Sequence, residues 1–302
     1  MPALILKSKN ALNSDVQSLD FVAYKSRVLA DGGYIADEQA VKDTLAFIAN
    51  NNITEAMAFS VTSPRWGLKL ANGKPSKLYS LFGGNGDIDI VVSIASAIDL
   101  TMTSGFNTIA LKGSSTNALL SGSVRGVNNA GICVVAKPPT LAGASAYGLT
   151  NAFTLGDLSN LSDATSIADR KSKQIATLLY LRSDGTKMPV DWDFRCLAFG
   201  ETGALNETTS STTSWSSEAL FVDSAGMVIY NSGVQTGVDN VVTPPVYKDN
   251  IQFNIGRSPN TLSQTLAYIN PLYADIAEAW CLVNTTSAIM QAISLRASQK
   301  YT

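Results

Sequence analysis

Beyond Gly86 the apolar residues of this chain fall on alternate positions. Ile88, Ile90, Val92 and Ile94 share one parity, while Asp87, Asp89 and Ser93 take the other. Successive side chains of a strand point to opposite faces, so this spacing predicts a half-buried β-strand. Similar short runs recur downstream. Strands are expected over 108–112 and over 132–136, the second closed by Pro138-Pro139. The run 175–182 is apolar on both parities, as in a central strand covered on both faces. Residues 220–223 and 227–230 flank Ser224-Ala225-Gly226 and read as a hairpin, with Asn231-Ser232-Gly233 as the next turn. Ile251, Phe253 and Ile255 alternate with Gln252 and Asn254, and 276–283 forms a last strand. Thr285 or Thr286 then caps a terminal helix to about Lys300, with Ile289, Ala292 and Ile293 on one face. The Ser/Thr-rich stretch 206–217 reads as an exposed loop or an edge excursion. Many short strands closed by one helix predict a mainly β fold, a two-sheet antiparallel sandwich. No fixed-period repeat is present, which argues against solenoids and propellers.

The first third differs. Residues 19–29 are apolar and basic and run into Asp31-Gly32-Gly33, a turn signal. Asp37 and Glu38 then open an amphipathic stretch in which Val41, Leu45 and Ile48 recur at helical spacing, predicting a helix over 38–49. Pro64, Gly67, Gly73 and Pro75 punctuate the connecting region 54–77, and 77–82 is a short apolar piece. Gly83-Gly84-Asn85-Gly86 forces a turn and marks the expected boundary between a helix-containing segment, 1–85, and a sandwich, 86–302. The helix has a broad apolar face that can dock on the sandwich or on another subunit.

Composition narrows function more than fold. The chain has no histidine, which removes Ser-His-Asp and Cys-His hydrolases, zinc metalloproteases and 2-His-1-carboxylate oxygenases together. What remains is carboxylate, lysine or tyrosine chemistry. Cys133, Cys196 and Cys281 have neither CxxC spacing nor an even count, so they read as reduced, packed thiols and predict neither a disulfide framework nor a metal site. A net charge of −2 without a Lys/Arg run gives nothing to track phosphates, so nucleic acid is not an expected partner. No stretch reaches the ~18 apolar residues of a spanning helix. No charged-then-apolar leader is legible at Met1.

Two resemblances add to this reading. Phe253-Asn254-Ile255-Gly256-Arg257, then Ala274-Asp275-Ile276-Ala277-Glu278-Ala279, then a capped helix ending Gln299-Lys300-Tyr301, is similar to the close of concanavalin A-like (laminin-G-type) jelly rolls. Tyr230-Asn231-Ser232-Gly233 fits the same scheme, although Tyr273-Ala274-Asp275 stands where that family often has a glycine. The string Ala23-Tyr24-Lys25-Ser26-Arg27-Val28-Leu29-Ala30-Asp31-Gly32-Gly33 resembles leading segments of structural proteins of tailed bacteriophages. Together they imply a non-enzymatic virion protein assembled in the host cytoplasm and exposed on the tail or baseplate, with capsid decoration as an alternative. They imply attachment to other virion proteins through the N-terminal segment, with Phe21, Tyr24, Arg27, Val41, Leu45 and Ile48 as interface residues. Oligomers are common in this class.

Candidate chemistry is sparse. Asp87 and Asp89, and Asp191 and Asp193 around Trp192, lie two apart and are the only pairs placed for a carboxylate-based glycosidase, yet neither carries a glutamate. Solvated strand faces or turn caps are the ordinary reading of both pairs. Asp239-Asn240 and Asp249-Asn250 offer calcium-type oxygens without a recognisable ligand spacing, so no cofactor is expected. Host-surface glycan binding is the sharper alternative, because sugars stack on aromatic rings. Trp215, Trp192 and Tyr230 are its candidates, Trp215 first because its neighbours are polar; packing is the competing role of each. Trp66 and Trp280 read as core or junction residues.

Overall fold

The computed structural model describes residues 21–91, 98–112, 118–121, 129–137, 150–157, 174–181, 192–197, 204–209, 215–239, 251–255 and 273–301. Two antiparallel sheets face each other as a jelly-roll-like sandwich. One, the helix-side sheet, contains β1 (Ala58–Thr62), β5 (Ile98–Thr103), β6 (Phe106–Lys112), β8 (Ala130–Lys137), β13 (Ser216–Asp223), β14 (Gly226–Asn231), β15 (Val234–Asp239) and β17 (Tyr273–Val283). The other, the far sheet, contains β2 (Leu68–Ala71), β3 (Lys74–Leu78), β4 (Ile88–Val91), β7 (Ala118–Ser121), β9 (Thr150–Asp157), β10 (Gln174–Leu181), β11 (Trp192–Leu197), β12 (Ala204–Thr209) and β16 (Ile251–Ile255). Among the described residues three helices, α1 over 21–30, α2 (Glu38–Asn50) and α3 (Ser287–Lys300), cover the outer face of the helix-side sheet.

Strand β17 is the spine. One edge pairs with β8 from Asp275 to Val283, while the other pairs first with β6 and then with β1. Inward residues of β8 (Ile132, Val134, Ala136) meet Leu220, Ile229, Ile88, Phe253 and Ile255 between the sheets. Outward residues of the same strands (Cys133, Ala219, Phe221, Trp280, Leu282) meet the helices. The central strands β8, β13 and β17 are therefore buried on both faces and lack the polar face of a sheet bathed by water on one side. A bulge between Ile276 and Glu278 shifts parity: Ile276 faces the inter-sheet core, and Ala277 and Glu278 both turn outward.

The N-terminal region is part of this body. Strand β1 hydrogen-bonds β17, and β3 pairs with β4 across the glycine turn. Gly84–Gly86 is a one-turn 3₁₀ element, preceded by Gly83, in the connection between β3 and β4 of the far sheet. Gly86 is needed there: a Cβ on it would sit 2.1 Å from the Phe59 carbonyl oxygen. The segment 19–29 forms α1 from Phe21 on. It ends in a left-handed Gly32 (φ 77°), with the Gly33 N–H donating to the Val28 carbonyl and the Gly32 N–H to Leu29. Asp37 caps α2, its carboxylate accepting the Ala40 N–H at 2.9 Å. Thr286 caps α3, whose buried stripe is Met290, Ile293, Ser294 and Ala297, one position off the expected Ile289/Ala292/Ile293 face.

A buried ionic cluster fastens the helices to the sheet. Glu278 is fully buried on β17. Its carboxylate accepts from Arg296 Nη1 at 2.8 Å, the Tyr301 hydroxyl at 2.6 Å and Trp280 Nε1 at 2.9 Å, and Lys300 Nζ lies 3.9 Å away. Arg296 Nη2 continues to Thr44 Oγ1 of α2 at 2.7 Å. One carboxylate thus ties β17 to α3 and, through Arg296, to α2. Burial works to raise its pKa, but Arg296, Lys300 and Tyr301 outweigh it and hold the carboxyl below the usual range.

Candidate functional site

Of the expected interface residues, Phe21, Tyr24, Val41, Leu45 and Ile48 are buried inside the chain, in the core between helices and sheet. Of the two docking alternatives, the helix takes the sandwich. Arg27 is also engaged internally: Nη1 donates to both Asp87 carboxylate oxygens at 2.9 and 2.8 Å, and Nη2 donates to the Ser80 carbonyl. Its guanidinium also lies over the Tyr24 and Tyr79 rings. These residues are not a free interface because the outer face of the helix-side sheet is itself apolar and takes them up.

The opposite side of α1 is different. Val22, Ala23, Ser26, Leu29 and Ala30 are exposed on one stripe, with Val22 at 56% and Leu29 at 52% exposure. An open groove of about 470 Å³ runs beside this stripe, walled by Ala23 and Tyr24 of α1, Ile48 and Ala49 of α2, and Leu81 and Phe82. A helix apolar on both sides is normally buried on both.

The candidate carboxylates at 87 and 89 stand in different environments. Asp87 is buried against Arg27 and accepts the Ser80 N–H at 2.8 Å, whereas Asp89 is exposed. Burial raises the Asp87 carboxyl, and Arg27 and Ser80 offset part of that. Asp191 lies outside the described residues, as do the side chains of Trp192, Asp193 and Cys196; so do Asn240, Asp249 and Asn250 and the side chain of Asp239. Among the described residues no three His, Cys, Asp or Glu side chains lie close enough together to hold a metal. Cys133 and Cys281 are free and buried, and burial pushes both thiols up.

Of the aromatic candidates, Tyr230 is buried and its hydroxyl bonds Ser287 Oγ at the start of α3, which makes it a packing residue. Trp66 and Trp280 are fully buried and meet edge to face. Trp215 is half-buried in an aromatic cluster: Phe106 lies 5.4 Å and Tyr301 5.7 Å from it, centroid to centroid. Its Nε1 points to Ser104 Oγ at 3.4 Å, and Lys137 Nζ sits 6.0 Å from the ring. Sequence spacing could not have found Phe106 and Tyr301, which come from β6 and the end of α3.

Beside this cluster lies a cavity of about 150 Å³, lined by Ala36, Asp37, Arg65, Met102, Gly105, Phe106 and Asn107. The β5–β6 turn, with left-handed Ser104 and Gly105, carries one wall. Opposite it, Arg65 Nη2 donates to Asp37 at 2.6 Å while its guanidinium lies 4.9 Å from the Phe106 ring centroid. Desolvation opposes charge on Asp37, but Arg65 and the Ala40 N–H together hold its carboxyl below its ordinary value.

No protein-family model matches the chain, and no curated protein matches its sequence. Among solved structures it resembles Trypanosoma rangeli sialidase in complex with sialic acid, at 12% identity and a TM-score of 0.53, over 82% of this chain and 33% of that one. Domain 4 of AbnA, an extracellular GH43 arabinanase from Geobacillus stearothermophilus in complex with arabinotriose, aligns at 13% identity and a TM-score of 0.47, over 80% of this chain and 100% of that one. The receptor binding domain of botulinum neurotoxin type G aligns at 10% identity and a TM-score of 0.47, over 80% of this chain and 51% of that one. The chain thus spans a third of the sialidase and half of the toxin domain. The sialidase likeness supports the β-sandwich fold and nothing finer. Among the described residues no helix is long and apolar enough to cross a membrane.

Proposed function

We propose that this chain is a non-enzymatic structural component of a tailed-bacteriophage virion, displayed on the tail or baseplate and attached through its N-terminal segment. The observation that carries the proposal is the uncovered side of α1: Val22 and Leu29 stand in solvent, and Ala23 of the same stripe walls an open groove whose lining is mostly apolar with Arg27 and Glu55 among it, although the helix is already engaged on its other side. A protein held in a particle needs such a surface. The phage-like string 23–33 coincides with α1 and its glycine stop. Its partner on this reading is another virion protein presenting an apolar segment. A non-catalytic role agrees with the carboxylates: Asp31, Asp37, Asp87 and Glu278 are each committed to cationic partners that hold the structure together.

The test is the double variant Val22→Glu/Leu29→Glu, assayed for incorporation into particles. Both side chains are exposed, so the variant is expected to fold with an unchanged circular dichroism spectrum and to be missing from purified virions. Normal incorporation would remove the assignment of this surface. Capsid decoration differs only in location, and labelling the chain on intact particles separates it from the tail.

A further inference from the structure

We infer that the cavity between the β5–β6 turn and the Asp37–Arg65 pair binds a single neutral sugar ring, with Phe106 as its aromatic wall. This rests on the cavity alone and stands whether or not the chain is a virion protein.

Size comes first. Pockets for drug-sized ligands run to roughly 300–1,000 Å³, and this one holds about 150 Å³, the room for one small ring with its substituents. Chemistry comes second. Asp37 accepts and Arg65 donates, and they already neutralise each other at 2.6 Å. A charged ligand would have to break that balance. A hydroxyl both donates and accepts, so two neighbouring hydroxyls can bridge the pair without disturbing its charge. Asn107 adds an amide of the same dual character. The rest of the lining, with the Phe106 ring and Met102 as its large side chains, is apolar. A sugar presents that combination, a hydroxyl-bearing edge and a C–H face.

Met102 supports the assignment independently. It is 74% exposed at the tip of a hairpin, where it packs no core. An exposed thioether on the rim of a polar cavity suits a contact surface that adapts to its ligand. Trp215, half-buried and 5.4 Å from Phe106, adds an aromatic ring next to the cavity's own aromatic wall. Nucleic acid is disfavoured by the lack of a basic stripe.

The experiment uses the full chain and four sugars: glucose, galactose, mannose and N-acetylglucosamine, with glycerol as the non-ring control. Saturation-transfer NMR and tryptophan fluorescence report binding. At least one sugar is expected to saturate with a Kd on the order of 1 mM, as suits one small ring in one shallow site. Met102→Ala and Asn107→Ala are each expected to weaken it by about fivefold or more with no change in melting temperature. Asp37→Asn keeps the helix cap and is expected to weaken binding as well. The inference fails if none of the four sugars saturates, if glycerol matches them, or if the response survives in Met102→Ala/Asn107→Ala. None of these outcomes bears on incorporation into particles, so the two readings fail separately.

Discussion

Replacing Glu278 with glutamine tests how the helical layer is held. The side chain is fully buried, and its removal as a charge leaves Arg296 and Lys300 beside one another with no carboxylate between them. Arg296 has 11% of its side chain exposed, so water cannot replace the lost partner. Breaking a buried ion pair from one side costs about 3–5 kcal/mol. Glutamine keeps one acceptor for the Tyr301 hydroxyl, which argues for the lower end, about 3 kcal/mol. In a chain of this length each kcal/mol is worth about 2 °C, so the melting temperature should fall by about 6 °C. Scanning calorimetry and circular dichroism measure it. The sign with pH is also fixed: Glu278 has a lowered pKa in the folded chain, so its contribution is present above the ordinary carboxylate pKa of about 4.3 and disappears as pH falls through the lowered value. Wild type and Glu278→Gln should therefore converge in acid. A variant within 1 °C of wild type at pH 7, or a difference that grows in acid, would refute the description of this cluster.

Further consequences are as direct. Lys300 is pushed down to about 8 by burial, so the unfolded chain binds more protons between about 8 and the ordinary 10.5; stability should rise with pH across that window, and Lys300→Gln should flatten the rise. Cys133 and Cys281 should stay silent to Ellman's reagent until the protein is unfolded, leaving at most one native thiol to react. Deleting residues 1–53 should expose Phe221, Trp280 and Leu282, and the product should bind a hydrophobic dye and aggregate rather than persist as a free sandwich.

The legible part of the fold is the part with a strong local period. Residues 38–49 and 285–300 show 3.6-residue periodicity with caps, and both are helices. Ile251, Phe253 and Ile255 alternate cleanly and form β16. Strands β1 and β2 were not legible. β1 is buried nearly throughout because it lies under the helices, and β2 is a four-residue edge strand with no inward run. Helix α1 is legible only as an apolar, basic stretch, since its apolar residues ring the helix and blur its periodicity. Faces were lost at the bulge in β17, where a period-two reading puts Ile276 and Glu278 together and the structure puts them on opposite sides. Trp215 could be singled out as a stranded aromatic, but its partners could not: Phe106 and Tyr301 lie 109 residues before it and 86 residues after it. Glycine at 86 answers a close approach to the Phe59 carbonyl, a contact that the local sequence does not announce.

A sub-nanometre electron cryo-microscopy map of the intact particle would test the assembly role most directly. The expected density places this three-layer body on the tail or baseplate, with Val22 and Leu29 of α1 covered by a neighbouring chain and the Met102 rim facing outward. A particle that lacks the chain, or one that holds it with that helix face in solvent, would contradict the role assigned to it.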